Sequence, residues 1–447
     1  MPNSVKLNQD YPDISESQKL YERATGLMPA YSQTLAKGPT QYVDGVAPKY
    51  LQRAKGSHVW DVDGNEYIDF NMGIGPISLG YAYPAVDEAI TRQLVDGITY
   101  SLVHPLEVEV SELMREVIPN TEMVRLAKTG AEVTSAAVRV ARAYTGRDKV
   151  LCCGYHGWHD WYIGITARNM GVPQAVQDLV YTFNYNDIDS VIDAMDDDTA
   201  CVILEPMTFD FPEDGFLDKL KGACEANGTL LIFDEMWTGF RWDIGGAQAY
   251  FDVAADLACY SKAVANGMPL GILTGRADVM ELFDEDVFFF STFGGEALSL
   301  AAAKATVHEL QVHNVPAYMA EKGQILIDGY NELADELGIR EYTYFKGHPA
   351  RGLAYFDNKD GKALLMKSLV QQELVRRGIL WSGFHNMCYS HSDADLNYTM
   401  EAYREVLPIL RAAIESNDVQ ERLHGTPVQP VFRRTDNFNL KPKAKNG

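Results

Sequence analysis

No pair of cysteines in this sequence has the C-x-x-C spacing of a redox or zinc motif; the six stand at 152, 153, 201, 224, 259 and 388. Several lie inside apolar, strand-like runs, where a buried thiol is the usual finding, and a reducing cytoplasmic compartment is the expectation. Long apolar runs are missing too. Segments such as 201–204 and 287–290 fall far short of the ~18 residues a membrane helix needs. Nor is there a basic excess: 39 Lys plus Arg face 62 Asp plus Glu, a formal net charge of −23. That sign argues against nucleic acid or an anionic membrane as partner, because a basic surface supplies that attraction. Residues 1–10 have neither an apolar core nor an Arg-rich amphipathic pattern, so no signal or transit peptide is expected there. Two nucleotide signatures are also absent. No glycine-rich turn ends in Gly-Lys-Ser/Thr, and Gly73-Ile74-Gly75 lacks the third glycine of G-x-G-x-x-G.

What remains is an ordinary globular composition, 46% hydrophobic over 447 residues. A chain of this length buries a large core without disulfides or structural metals, and at ~100–200 residues per domain it holds two or three domains. Residues 59–62 and 67–70 flank Asp63-Gly64, which predicts a β-hairpin. The Asp61, Asp63, Asn65 spacing resembles a calcium loop, but Glu66 and Met72 stand where that loop needs glycine and glutamate. From about 85 to 310, short β-branched runs at 123–126, 149–153, 201–204, 229–233 and 270–273 alternate with helical patterns. That alternation predicts βαβ units and a mainly parallel sheet. A helical pattern near 326–338, a strand at 350–356 and helices at 362–377 and 393–416 predict a smaller α+β domain. The last thirty residues, with Pro427, Pro430 and a Lys-rich end, read as an irregular extension.

Three constellations carry chemistry, each at the end of a predicted strand. After 123–126 comes Lys128-Thr129-Gly130-Ala131-Glu132, and a helix starting near Ala131 whose apolar positions are Val133, Ala136, Ala137, Val140 and Ala141. A helix N-terminus behind a small-residue turn offers free N–H groups to a phosphate, although an ordinary strand–turn–helix junction looks the same. After 229–233 comes Asp234, a carboxylate at the carboxyl edge of a buried strand, which needs a cationic or hydrogen-bonding partner. A cationic ring nitrogen suits it; a helix cap or salt bridge is the plain alternative. Lys262 follows 257–260 and enters a loop punctuated by Gly267 and Pro269. Partial desolvation there frees an amine for Schiff-base chemistry, whereas a lone lysine is ordinarily a surface residue. A phosphate cradle, a carboxylate and a lysine together match the needs of pyridoxal phosphate.

The sequence resembles the class III, fold type I pyridoxal-phosphate aminotransferases, in the branch of glutamate-1-semialdehyde aminomutase. The resemblance rests on residues 59–70 (VWDVDGNEYIDF), 129–132 (TGAE), Tyr155-His156-Gly157, 234–241 (DEMWTGFR), Ser261-Lys262, Gly267-Met268-Pro269 and 292–295 (TFGG). They stand in family order across 40–310, with weaker similarity to about 410. The resemblance implies an α/β fold: a large domain with a mainly parallel central sheet, plus a smaller α+β domain. The division expected is 1–65 as an N-terminal segment packing with the small domain, 66–325 as the large domain, and 326–447 as the small domain with its tail.

It also implies roles. Lys262 would bind the aldehyde carbon of the cofactor and later shuttle a proton. Asp234 would keep the ring nitrogen protonated. Tyr155 would stack on one ring face and Met236, where relatives often carry Val, on the other. Thr129, Gly130 and Ala131 would hold the phosphate, with His156 and Glu205 near the cofactor. Thr292 matches the family residue that reaches the phosphate of the partner subunit, so a homodimer with shared sites is expected. His156 and His159 lack a third ligand, so no metal is expected. Trp158, Trp161 and Trp237 shape either a substrate pocket or a core or interface.

The sequence departs from the aminomutase at two positions. Leu35 stands where that enzyme places a carboxylate-binding arginine, and Ile74 where it has a tryptophan. Leucine cannot replace a guanidinium fork, and Lys37 serves only if the register slips by two. The expected activity is therefore amino transfer from an amino-acid donor, glutamate, to a ketone or aldehyde, with a keto-sugar or keto-cyclitol as acceptor. The alternatives are the aminomutase reaction, an inactive assembly partner, and a nicotinamide dehydrogenase that the missing glycine fingerprint opposes.

Overall fold

The structure, a computed structural model, describes residues 10–358 and 360–430. Residues 1–9 and the Lys-rich end, on which two of the sequence expectations fall, lie outside it. The chain forms two compact units, one from 10–83 with 317–430 and one from 84–316. Among the described residues no helix is long and apolar enough to cross a membrane, and all six cysteines are buried free thiols.

The first unit opens with β1 (Leu51–Lys55), β2 (His58–Asp61) and β3 (Glu66–Asp69), joined antiparallel in that order. The β2–β3 turn closes on Asp61. Its buried carboxylate accepts from the amides of Asp63 at 3.0 Å and Asn65 at 2.8 Å, from Asn65 Nδ2 at 2.8 Å and from Tyr67 Oη at 3.0 Å. Gly64, at φ +91°, supplies the left-handed residue the turn requires. Four donors on one carboxylate explain why this acidic loop is a hairpin turn.

The second unit is built on seven strands: β4 (Met123–Ala127), β5 (Lys149–Cys153), β6 (Val180–Thr182), β7 (Thr199–Leu204), β8 (Leu230–Asp234), β9 (Leu257–Tyr260) and β10 (Gly271–Gly275). Their order is β4-β10-β9-β8-β7-β5-β6. Pairs β6–β5, β5–β7, β7–β8 and β8–β9 are parallel, while β10 runs antiparallel to both β9 and β4. Every residue of β5, β7, β8 and β9 is buried, as expected of parallel strands covered on both faces, whose sequences read as unbroken apolar runs; the antiparallel β10 is equally buried. The helix Gly130–Thr145 lays Val133, Ala136, Ala137, Val140 and Ala141 into the core, all buried. It begins one residue before the sequence-predicted start and ends at Gly146, at φ +65°.

The chain returns to the first unit along the helix Val315–Glu336 and adds β11 (Thr343–Lys346), β12 (Arg351–Phe356), β13 (Ile379–Leu380) and β14 (Phe384–Asn386). Strands β11, β12 and β14 form an antiparallel sheet, whereas β13 pairs parallel with β3, Ile379 opposite Ile68. The helices Ala363–Arg376 and Asp393–Ser416 complete the unit. The boundaries at 83/84 and 316/317 differ from the 65/66 and 325/326 read from sequence. Residues 66–83 are tied by backbone bonds to the C-terminal segment: Phe70 N–H to Leu380 O at 3.0 Å and Tyr389 N–H to Ser78 O at 2.9 Å. Between Asn417 and Pro430 the chain is irregular, apart from a bridge of Thr426 to Asp44.

Candidate active site

Strands β5, β7, β8 and β9 are parallel, and β4 shares their direction through two antiparallel steps across β10, so the carboxyl ends of all five strands lie along one edge of the sheet. Nearly all the candidate residues follow one of these ends: Thr129 after β4, Tyr155 and His156 after β5, Glu205 after β7, Asp234 at the end of β8, and Lys262 after β9. Residues scattered over 134 positions of sequence are thereby collected at the edge where open α/β sheets bind ligands.

Asp234 is buried, and its Oδ2 lies 2.8 Å from His156 Nδ1. The other ring nitrogen, Nε2, lies 3.1 Å from Cys153 O. A carbonyl only accepts, so Nε2 is the donor there and Nδ1 faces the carboxyl group of Asp234. Asp234 Oδ1 accepts from Met236 N–H at 3.1 Å. The aspartate is thus fixed by two contacts while its strand end remains at the site.

The helix Gly130–Thr145 presents its N-terminus here. Thr129 caps it, accepting from Glu132 N–H at 3.3 Å, and Glu132 Oε2 accepts in return from the amides of Lys128 at 2.9 Å and Thr129 at 2.8 Å. This capping box, which the sequence reading passed over although T-x-x-E is its signature, uses the Thr129 amide. Gly130 and Ala131 open the first turn, where no intrahelical carbonyl stands behind the N–H groups. A Cβ on Gly130 would lie 2.7 Å from Met236 Sδ, so the turn carries glycine to accommodate the methionine after Asp234. Gly157, at φ +104°, packs equally closely: a Cβ there would meet Ala131 Cβ at 2.8 Å.

Lys262 occupies the left-handed region at φ +45°, uncommon for a residue with a side chain, and it opens the short turn Lys262–Ala265. Ser261 Oγ donates to Leu270 O at 2.6 Å and closes this loop. Lys262 Nζ lies 3.4 Å from the centroid of the Trp237 ring. Glu205 is buried, and its carboxylate accepts from Tyr155 N–H at 2.9 Å. The Tyr155 ring is 39% exposed, with an edge-on neighbour in Tyr162. Burial, and secondarily the Asp234 charge, hold its hydroxyl above the usual tyrosine range.

Sequence reasoning missed Glu235. It is buried beside Asp234 and accepts from the Thr238 hydroxyl, from Ala247 N–H at 2.8 Å and from Gln248 N–H at 2.9 Å. Burial lifts its carboxyl to about 7, against the pull of those three donors. Gln248 reaches on to Tyr260 Oη at 2.9 Å, two residues before Lys262. Only its position in the DEMWTGFR run marked Glu235, and nothing local pointed to Gln248.

Thr292 is exposed, on the loop whose Gly294 packs against Leu126 O. His159 Nδ1 lies 2.6 Å from Ser135 Oγ, and among the described residues no three His, Cys, Asp or Glu side chains are grouped so as to hold a metal ion. In the first unit, Leu35 lies in the turn Leu35–Lys37. Ile74 belongs to four successive positive-φ residues: Met72 at +46°, Gly73 at +64°, Ile74 at +72° and Gly75 at +90°. Lys37 lies close enough to Asp69 to lower its pKa, which burial, the largest cause, raises to about 6.

The model of the class-III aminotransferases matches residues 42–360. The chain belongs to this family. A 3-aminobutyryl-CoA aminotransferase of Cloacimonas acidaminovorans is 35% identical over 409 residues, covering 88% of this chain and 97% of that protein. A glutamate-1-semialdehyde 2,1-aminomutase of Syntrophobacter fumaroxidans is 34% identical, over 80% of this chain and 90% of the other. Among solved structures, an omega-transaminase from Sphaerobacter thermophilus superposes with a TM-score of 0.81 at 27% identity, covering 89% of this chain and 98% of that one. This class-III aminotransferase therefore has the fold type I α/β architecture and is a pyridoxal-phosphate-dependent transaminase. The residues fit that cofactor. The N-terminus of the 16-residue helix Gly130–Thr145 is of the kind that suits a phosphate, and the buried Asp234 is of the kind that suits a protonated ring nitrogen.

Proposed function

We propose that this transaminase moves an amino group from an amino-acid donor, glutamate, to a ketone or aldehyde acceptor that lacks the carboxylate read by the aminomutase. The observation that carries the reading is the meeting of the Lys262 amine, the His156-held Asp234 and the Gly130 helix N-terminus at one sheet edge. The cofactor, when bound, supplies an electron sink for the carbanion at the substrate carbon. Lys262 Nζ would hold its aldehyde carbon and, as a free amine, would carry a proton from the substrate carbon to the carbon that was that aldehyde. Asp234, held by His156, would keep a proton on the ring nitrogen. Tyr155 would stack on one ring face and Met236 on the other, and Glu205 fixes the Tyr155 backbone. The amides of Gly130 and Ala131, with the Thr129 hydroxyl, hold the phosphate. Donor and acceptor use the site in turn, which is a ping-pong mechanism.

Thr292 serves the phosphate of a second copy. Beside it in the sequence Phe288, Phe290 and Phe293 are 77%, 72% and 57% exposed, and elsewhere in the same unit Leu102 and Val103 are 85% and 72% exposed. Exposed apolar side chains of this kind support a homodimer with shared sites, and six buried free thiols suit a cytoplasmic enzyme.

The acceptor follows from Leu35. No arginine stands between Arg23 and Arg53, so this stretch supplies no guanidinium fork for a carboxylate. A keto-sugar or keto-cyclitol is the proposed acceptor. By its name, the Cloacimonas relative acts on an amine carried by a CoA thioester, which also lacks a free carboxylate beside the reacting carbon. The 34%-identical aminomutase favours a second reading, isomerisation of glutamate semialdehyde.

A visible spectrum before and after borohydride, followed by donors and acceptors, tests these readings together. A yellow protein trapped on Lys262 and bleached by glutamate supports the transaminase. Recovery of colour with keto-sugars or keto-cyclitols supports the proposed acceptor, and faster turnover of glutamate semialdehyde overturns it. A protein that stays colourless with added cofactor is an inactive assembly partner.

A further inference from the structure

Trp237 sits at the centre of a turn fixed from behind. Glu235 accepts from the Thr238 hydroxyl and from two amides of the helix start at Ala247 and Gln248, while Gly239 N–H donates to Glu235 O at 2.9 Å. These bonds fix the chain on both sides of Trp237, whose side chain is half-buried. Facing it, the Lys262 backbone is set at φ +45°, with Nζ 3.4 Å from the ring centroid. A ring face attracts an ammonium and gives a neutral amine no comparable attraction.

We propose that Trp237 is a positioning residue that holds the Lys262 amine in its protonated form against the indole face. The inference rests on the reading of Lys262 as the cofactor-binding amine and deepens it. When Lys262 Nζ removes a proton from the substrate carbon, it becomes an ammonium, and the indole face is already beside it. The same proton leaves Nζ for the second carbon, so no charge or hydrogen is left over. The other ionisable groups brought to this edge include Asp234, Glu235, His156, Tyr155, Tyr260, Glu205, Lys128 and Glu132. All stay in place in the variants below, so their fields are common to every comparison.

The test is competitive labelling of the cofactor-free full chain with fluorodinitrobenzene from pH 6 to 11, with the Lys262 peptide followed by mass spectrometry. A cation–π contact of ~0.5–2 kcal/mol corresponds to about 0.4–1.5 pH units. Trp237→Leu, which keeps an apolar side chain but removes the ring face, is expected to lower the labelling midpoint by about one pH unit. Trp237→Phe falls between, and it carries the test if the leucine variant does not fold. The control is Trp60→Phe, at a ring in the other unit that has its own cation, Arg53, at 3.8 Å; its Lys262 midpoint stays at the wild-type value. An unchanged or raised midpoint in both Trp237 variants overturns the inference. Borohydride trapping of added pyridoxal phosphate on the wild-type chain separates the two readings: trapping away from Lys262 overturns the site assignment itself.

Discussion

His156 Nδ1 stands 2.8 Å from Asp234 Oδ2, and neither side chain exposes more than 2% of its surface. A carboxyl group so placed has one firm partner, and its neighbour Met236 contributes only a backbone N–H. Asp234→Asn removes the charge while keeping the shape. A hydrogen bond to a charged group contributes ~1.5–3 kcal/mol, or about 10–150-fold in rate. Single-turnover rates with glutamate are expected to fall by about that factor, with the fold intact by circular dichroism. An asparagine variant at the wild-type rate would show that the carboxylate has no part in the reaction.

Met236 and Gly130 form a coupled pair, because a Cβ at 130 would stand 2.7 Å from Met236 Sδ and 3.1 Å from Cε. Gly130→Ala is expected to weaken cofactor binding by about 5–150-fold, the overpacking range of ~1–3 kcal/mol. The double variant Gly130→Ala, Met236→Val is expected to recover most of it, since valine does not reach the new methyl. Equilibrium titration with pyridoxal phosphate checks both, and failure of the double variant to recover would break the proposed coupling.

Asp395 gives the first unit a pH signature. Its carboxylate accepts from Ser57 Oγ at 2.9 Å, from Ser392 N–H at 2.9 Å and from Ser392 Oγ at 2.9 Å, and it lies 3.0 Å from His58 Nε2. These partners, with His58 foremost, outweigh the desolvation and lower it from 3.8 to about 2. A depressed carboxylate stabilises the fold above its unfolded value, near pH 4, and that stabilisation is lost as pH falls through about 2. His58, raised by Asp395 and Glu66 against desolvation, acts in the opposite sense and loses its contribution as pH rises past its own value. Asp395→Asn is expected to lose about 2 kcal/mol at pH 6, with the difference vanishing towards pH 2. Urea midpoints across that range check it; a pH-independent difference would exclude the ionic origin.

Leu35→Arg tests the proposed acceptor class, because the resemblance to the aminomutase branch implies a guanidinium at this position. The variant is expected to gain about tenfold in kcat/KM toward glutamate semialdehyde relative to neutral acceptors, from a charge-assisted contact of ~1.5–3 kcal/mol discounted for imperfect geometry. An unchanged acceptor preference would remove Leu35 from the specificity argument.

The reading from sequence found what local pattern encodes. Fully buried runs such as 149–153 and 201–204 became strands because period and β-branched content are properties of a few neighbouring residues. Asp393–Ser416 and the apolar face of Gly130–Thr145 were legible for the same reason. Strand-end motifs located Asp234 and Lys262, because a turn after a strand has its own residue signature. Tertiary structure alone decided what meets what. The pairing of Ile379 with Ile68 assigns 66–83 to the C-terminal unit, and no local pattern links residues 311 positions apart. The contact of His156 with Asp234, the fit of Gly130 against Met236, and the Trp237 face beneath Lys262 Nζ depend on strand order and on rotamers fixed by packing. Those are set by the whole core at once, since each element reaches its position only when the others exclude water from the same interior.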